Sequence, residues 1–459
     1  MPYFPRAGFL SLLLLATVCV GPLRADGLAR LTEERLIRVR QAIQGFSQER
    51  EEPTRSERYV DVRANLHVHS RFSHDSRGSL DEIVAAAKRA GTRVLMFTEH
   101  PADHYDFYQD GHQGLRDGVL CIPGAEMKGF LCYPTGNVRG IENEPPQVLS
   151  DLIRGRDGLM FVSHLEERME WRIRGVTGVE IYNTHADFKD ETALLKALRN
   201  PLWLLQSAEL FRKYPQEAFS ALQDYPADYI RRWDELCVDG PHTGVSANDA
   251  HQNVGLVMKK LDAGRVRIED ALEKKLLDLD ATGNPLLEPL IDGRDVGETV
   301  FELRIDPYEQ SLRHVGTHLL LDRETGLTRE AVWEALRAGR AYVAFDWLAD
   351  AIGFDFAAVS PYGQHEMGSH FPVQPEMRLV ARSPIAVNWR LIRDGKLVNE
   401  STGRQFEAPL VEPGVYRIER SRFGCCRIRC MRLCPQVILH AADNATLRPS
   451  GMVCVGVSA

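Results

Sequence analysis

Residues 66–100 read LHVHSRFSHDSRGSLDEIVAAAKRAGTRVLMFTEH and set four histidines around one strand–helix–strand unit. Residues 65–69 have the pattern of a strand end. Side chains alternate along a strand, so His67 and His69 are expected on one face, with Leu66 and Val68 on the other. Two imidazoles so placed can grip one metal ion. Residues 79–90 predict a helix: Ser79 and Glu82 form a capping box, and Gly91 supplies the stop. Residues 93–98 predict a second buried strand, with His100 just past its end. In parallel α/β barrels functional groups collect where strands end. A lone HxH pair is more often a pair of surface residues, so the rest of the chain decides its meaning.

The same placement recurs. Glu126 follows the apolar run 119–123 in PGAE, His164 ends LMFVSH, and Asp249 and His251 follow a strand in GVSANDAH. Imidazole nitrogen and carboxylate oxygen suit zinc, manganese and iron. A carboxylate such as Glu126 can also bridge two ions. Taken singly, His164 reads as a satisfied core histidine and Asp249 as a turn residue. Independent accidents at so many strand ends are a poor explanation, and a metal site is the better one.

From residue 59 to 345, strand-like runs alternate with helical patterns, which predicts βαβ units. Two longer insertions, 186–234 and 255–314, read as helical. Residues 31–46 predict an amphipathic helix with Leu36, Val39, Ile43 and Phe46 on one face. Beyond 345 the texture changes. Residues 377–381 and 386–391 alternate as half-buried strands do, and Asp394-Gly395 is a hairpin turn. Residues 346–419 therefore predict a small β-sandwich-like domain. The following RSRFGCCRIRCMRLC loses the alternation and becomes basic and cysteine-rich. Residues 420–459 are accordingly expected to lie outside the native sandwich, as a shifted reading frame would. A disulfide-linked tail is the alternative.

With 459 residues, 44% hydrophobic and 26% charged, the chain can build more than one core. A formal charge of −8 speaks against a general nucleic-acid binder. Residues 1–25 read as a signal peptide: Arg6 precedes a short apolar run at 9–20, and Leu23-Arg24-Ala25 is a cleavage site. That run is shorter than the ~20 residues of a membrane span. The expectation is an exported protein, periplasmic or secreted, with a helix and linker over 26–58 and no stable membrane span.

In order, HVHSRFSHDS, TEH, GAE, VSH and NDAH resemble the motifs of the PHP (polymerase and histidinol phosphatase) superfamily. The resemblance implies an α/β fold, a distorted (β/α)7 barrel over 59–345 with the β-sandwich-like domain behind it. An exported form with such a domain is similar to the branch of carbaryl-hydrolase-like metallohydrolases. It further implies roughly two to three divalent ions, of zinc, manganese or iron. By motif, His67, His69, Glu126 and Asp249 would hold the first ion. Glu126 would bridge to a second ion bound by His164. His100 and His251 would hold a third, with either His74 or Asp75, of which Asp75 is favoured. TEH stands where the family has TDH, a difference expected to matter little. One departure matters more: the family's histidine after GxE is missing from MKGFLCYPTGN. The second site is expected to be weakened, rebuilt or empty. His185, in GVEIYNTHADF, is expected either to complete it or to bind an anionic group of the substrate; a surface-loop histidine is the bland alternative.

The implied activity is hydrolysis of a small anionic ester, a phosphoester first, by a metal-bound hydroxide. No side-chain nucleophile is proposed, and no GxSxG signature is present. Arg71 and Arg77 follow the first strand and are candidates to bind phosphate, though solvated loop arginines explain them equally well. A carboxylic-ester, carbamate or amide hydrolase on the same ions is the first rival, with Phe107, Tyr108, Trp171 and Trp233 as an apolar wall. An exported glycan- or partner-binding protein is the second.

Overall fold

The computed structural model describes residues 27–52, 58–190, 196–197, 201–285, 287–422 and 438–442. The expected signal peptide and most of the tail, including its cysteines, lie outside the described residues. Among the described residues no helix is long and apolar enough to cross a membrane.

The fold is mixed α/β, with one curled eleven-stranded sheet and two smaller sheets of seven and four strands. The curled sheet contains β1 (Tyr59–Val68), β2 (Val94–Phe97), β3 (Gly114–Arg116), β4 (Val119–Ile122), β5 (Ala125–Met127), β6 (Phe130–Tyr133), β7 (Leu159–Val162), β8 (Gly178–Asn183) and β9 (Thr243–Ala250). Their order is β3-β4-β2-β1-β9-β8-β7-β6-β5. Strands β4, β2, β1, β9, β8 and β7 run parallel, and their central residues are buried and apolar, as in sheets covered on both faces. A parallel bridge between Glu99 and Ala125 brings β5 back beside the end of β2, so the sheet curls around its strand ends.

This differs from a regular (β/α)7 array. β5 and β6 form an antiparallel hairpin, and the β2–β4 and β7–β8 crossovers carry no α-helix. The helix Leu80–Ala90 matches its expected signals: Ser79 accepts the Glu82 N–H, and Gly91 closes the helix at φ 79°.

Helices Thr184–Asp190, Pro201–Lys213, Pro215–Ala221 and Ala227–Asp239 fill the first insertion, as expected. The second insertion does not follow its helical reading. Strands β10 (Gly255–Lys260), β11 (Arg265–Asp270), β12 (Lys275–Asp280) and β13 (Thr299–Arg304) make a separate antiparallel sheet in the order β12-β11-β10-β13. Its period is 2: Val266 and Ile268 enter a small core with Met258, while Arg265 and Arg267 face away. Short alternating stretches with scattered leucines also satisfy helical spacing, and only pairing with neighbours decides between the two.

The helix Glu33–Glu49 lies across the molecule. Leu36 packs with Phe211 and Phe219 of the helical insertion, while Val39, Ile43 and Phe46 pack on the main core. Strand β14 (Gly316–Asp322) pairs antiparallel with the first half of β1, and β15 (Ala341–Ala344) pairs with β14.

The remaining strands are β16 (Asp355–Ser360), β17 (Gly363–Glu366), β18 (His370–Pro372), β19 (Arg378–Arg393), β20 (Lys396–Pro409), β21 (Gly414–Ser421) and β22 (Ile438–Ala442). They are joined in one seven-stranded ladder, in the order β17-β16-β19-β21-β22-β18 with β20 paired to β19. β19 is a single long strand that pairs β16 with its first part and β21 with its last. The switch falls at an irregularity containing Pro384, which has no N–H to give a ladder. The expected boundary at residue 420 is also corrected. β21 runs on to Ser421, and Arg420 is buried with its Nη1 donating to Ser383 Oγ at 2.9 Å. Arg422 reaches Glu49 at 2.6 Å. β22 then pairs with β21 and β18.

A buried charge network ties β1 to the segment leading into the seven-stranded sheet. Arg63 Nε lies 3.0 Å from Asp346, and His318 bridges Asp346 (3.0 Å) and Asp61 (2.8 Å). Breaking a buried pair leaves the partner charge desolvated and uncompensated. Asp346→Asn is therefore expected to lower stability by about 3–5 kcal/mol in denaturant titrations. A loss below about 1 kcal/mol, the size of a surface pair, would contradict this account.

Candidate metal centre

The C-terminal ends of the parallel strands carry a compact set of histidines and carboxylates. β1 supplies His67 and, just beyond its end, His69; β5 supplies Glu126; His164 follows β7; β9 supplies Asp249, with His251 just beyond it. His100 follows β2, and Asp75 lies in the loop after β1. All eight come together, although they span 185 residues of sequence, from 67 to 251.

Local backbone geometry aims these groups. His67, His164 and Asp249 adopt left-handed conformations, with φ of 68°, 45° and 49°. Such values are uncommon outside glycine and mark places where surrounding structure holds the chain against its preference. At His67 the pairing of β1 slips: Leu66 pairs Met96 and Val68 pairs Phe97, so His67 is a bulge residue. Simple alternation is thus not what brings His67 and His69 together. A bulge re-aims the side chain, and the two rings end 5.1 Å apart.

Each of the four buried imidazoles of the set has its Nδ1 engaged by a neighbour. His67 Nδ1 meets Glu180 at 2.7 Å, His69 Nδ1 meets Ser73 Oγ at 2.9 Å, His164 Nδ1 meets Glu166 at 3.0 Å, and His251 Nδ1 meets the Asp249 carbonyl at 2.9 Å. With Nδ1–H donating to that neighbour, each Nε2 presents its lone pair inward, the usual arrangement of metal-binding histidines. The Nε2 atoms of His67, His69 and His251, and Oδ1 of Asp249, are buried without a hydrogen-bond partner. Buried polar atoms without partners are costly and rare. Their neighbours fit a shared ion instead. His67 Nε2 lies 3.2 Å from both Glu126 Oε2 and Asp249 Oδ1; His69 Nε2 lies 3.7 and 3.5 Å from the same atoms. His164 Nε2 lies 3.2 Å from Glu126 Oε1 and 3.5 Å from Asp249 Oδ2. Asp75 Oδ2 lies 3.4 Å from His100 Nε2 and 3.3 Å from His251 Nε2. A tetrahedral ion with bonds of about 2.1 Å separates its ligand atoms by about 3.4 Å. The donor set therefore fits divalent metal.

Against the effect of burial, the neighbouring acids raise His67, His164 (to about 10) and His251, so these rings stand in a strongly negative field of the kind that binds a cation. Burial, helped by neighbouring His251, pushes His69 down to about 3, which keeps it neutral. Burial alone would raise Glu126, but His67 and His164 hold it well below the usual carboxylate range. The same opposition lowers Asp249, through His67 and His251.

Asp75, rather than His74, joins the set with His69, His100 and His251; His74 is exposed, with its ring 5.0 Å from His100. His185 groups with Asp249 and His251, its ring 5.5 Å from that of His251. His164 groups with Glu166 and Glu167 and meets Glu126 at 3.2 Å. Arg77 donates to the carbonyls of His74 and Ser76 in its own loop, and Arg71 is exposed, its charge felt by His112. Trp233 belongs elsewhere: its Nε1 donates to the His242 carbonyl (2.8 Å), at the opposite end of β9, and it is Tyr229, one helical turn earlier, that reaches toward the site. Trp171 packs on Phe130 with Arg168 against its ring, and Phe107 is buried in the main core.

Several supporting residues have tasks that a reading of the sequence does not assign, although it places Glu180 and Asn183 on the rim. Glu180 is fully buried and accepts from His67 Nδ1, from the His164 N–H (2.7 Å) and from Asn183 (3.2 Å). Tyr229 donates to Glu166, which holds His164. Glu99 accepts from Ser70 and Ser73, and Ser73 in turn holds His69 and the His100 N–H, so the acid of TEH has a defined task. Tyr308, from the helix Tyr308–His314, reaches the carbonyls of His69 (2.8 Å) and His251 (3.2 Å) and so ties the ends of β1 and β9. Gly78 makes room for it: a Cβ there would lie 2.2 Å from the Tyr308 hydroxyl. Tyr308→Phe is expected to cost about 1–3 kcal/mol of stability, because buried carbonyls lose their donor. It is also expected to weaken metal binding. Unchanged unfolding and unchanged affinity in metal titration would show that the clamp is idle.

Fold and site together define a class: α/β proteins with a cluster of histidines and carboxylates able to hold metal at the ends of a curled parallel sheet. Residues 65–233 match the family model of the PHP domain. That family is generally one of metal-dependent hydrolases. The matched stretch carries six of the eight residues, from His67 to His164, and stops before Asp249 and His251. No curated protein matches the chain.

Proposed function

We propose that this protein is an exported metal-dependent hydrolase of small anionic esters, a phosphoesterase first of all. The observation that carries the reading is the convergence of buried, partnerless Nε2 atoms on two carboxylates that face both ways. The ligands would be His67, His69, Asp75, His100, Glu126, His164, Asp249 and His251. Divalent ions at such a set supply charge neutralisation for phosphoryl oxygens, activation of water near neutral pH and stabilisation of the leaving oxygen.

The chain's own contribution is position and dryness. Glu180, Glu166 and Ser73 fix which nitrogen of each ring carries the proton. Phe72 and Tyr105 stack at 5.2 Å beside the site, where the Tyr105 hydroxyl donates to the His100 carbonyl. The left-handed ligand residues are set before any substrate arrives, so little reorganisation is left for the reaction itself.

One observation favours a second reading, hydrolysis of a carboxylic or carbamate ester. Arg77 is committed to its own loop, whereas the Phe72–Tyr105 pair gives the mouth an aromatic side. Assays with an aryl phosphate, an aryl phosphodiester and an aryl carboxylate, after chelation and again with manganese or zinc restored, separate the readings. Metal-restored turnover of the phosphate esters supports the first. Restored turnover of the carboxylate alone supports the second. Turnover insensitive to chelation overturns both.

A further inference from the structure

We infer that Asp249 takes over the work of the histidine missing after the GAE motif, by bridging two ions with its two carboxylate oxygens. The inference rests on reading this set as a metal site. The position beside His164 needs donors, and the stretch after Glu126 contains no histidine. Two residues besides Asp249 lie near enough to be considered. Glu166 groups with His164 and Glu167, but it engages the ring through Nδ1, on the edge turned away from Glu126. His185 keeps company with His251 and Asp249.

Asp249 meets the need. Its Oδ1 faces His67 at 3.2 Å and His69 at 3.5 Å, while its Oδ2 faces His164 at 3.5 Å. Glu126 is divided in the same way, Oε2 toward His67 and Oε1 toward His164. Two carboxylates thus stand between the same two groups of imidazoles. The left-handed backbone at Asp249 gives its side chain this stance, and aspartate is among the residues that tolerate it. The first position then has four protein ligands, His67, His69, Glu126 and Asp249. The one beside His164 has three: His164, Glu126 and Asp249. Sites that keep an open place for substrate have three protein ligands, and closed structural sites have four. The open position is therefore the one beside His164.

The experiment counts metal. Purified protein is stripped by chelator, reloaded with manganese alone, freed of excess and analysed for metal per chain. His164→Ala and His67→Ala should each lose about one equivalent relative to wild type. Asp249→Asn should lose about two, because an amide has a single neutral oxygen to share; His185→Ala should lose none. Loss of one equivalent in Asp249→Asn, equal to His67→Ala, would overturn the bridge, and loss in His185→Ala would reinstate that histidine. Wild-type protein that retains no metal would instead sink the reading of the site itself. Asparagine tolerates the left-handed backbone as aspartate does, so this variant should fold. Should it not, anomalous scattering from manganese-soaked wild-type crystals gives the answer directly. Oδ2 in contact with the ion beside His164 supports the bridge, and Oδ2 turned away from it refutes it.

Discussion

His67→Ala is expected to reduce metal-dependent hydrolysis by more than about 100-fold, since changing even a ligand's supporting partner typically costs about 10–100-fold. The residue is fully buried, its Nε2 has no hydrogen-bond partner, and both shared carboxylates lie within 3.2 Å of it. Alanine would remove a donor and leave Glu126, Asp249 and Glu180 as acids with less positive charge to offset them. Alanine gains nothing at this bulged, left-handed position, so circular dichroism is read beside the activity to separate lost metal from lost folding. The check is a pair of measurements: turnover under saturating manganese, and metal per chain. Near wild-type turnover in metal-depleted His67→Ala protein would refute the metal site.

Glu180→Gln should weaken metal binding by about 10–100-fold while leaving every ligand in place. The carboxylate accepts from His67 Nδ1, from the His164 backbone and from Asn183, all in a buried setting. Glutamine has the same shape, but one of its two ends is a donor. It must fail either His67 or the His164–Asn183 pair. Failing His67 lets that ring exchange tautomers or turn, which places N–H where a lone pair is needed. Metal affinity from competition with a chelator, read beside circular dichroism, distinguishes lost positioning from lost folding. An affinity within twofold of wild type would mean that packing alone orients His67.

How much of this was legible in the sequence follows from how far apart the partners lie. Seven of the eight candidate ligands could be read because each sits at or just past the end of a buried run, and the run itself is a local signal. Asp75 lies in a loop and came only from the resemblance, as the alternative to His74. The helix Leu80–Ala90 could be read for the same reason, since its caps are its own neighbours. Glu180 could not be read as the partner of His67, because they are 113 residues apart and no local pattern joins β1 to β8. Glu99 looked interchangeable with aspartate, yet its carboxylate organises Ser70 and Ser73. The sheet β10–β13 was mistaken for helix because its apolar residues serve either period until a neighbouring strand chooses. Trp233 looked suited to a pocket wall, and its helix carries it to the other end of β9.

The sequence by itself determined the kind of chemistry: imidazoles and carboxylates in ordered motifs, with no other reactive group competing. It also determined where the parallel strands run, because long apolar stretches bounded by glycine and polar residues have few other ways to be buried. The tertiary structure alone decided how the donors share their space. Whether Asp249 faces one histidine group or two depends on a left-handed turn and on slipped pairing at His67, and both are set by the strands on either side. Orientation at a metal site is a matter of fractions of an ångström. It is fixed by contacts between segments that the chain brings together only on folding.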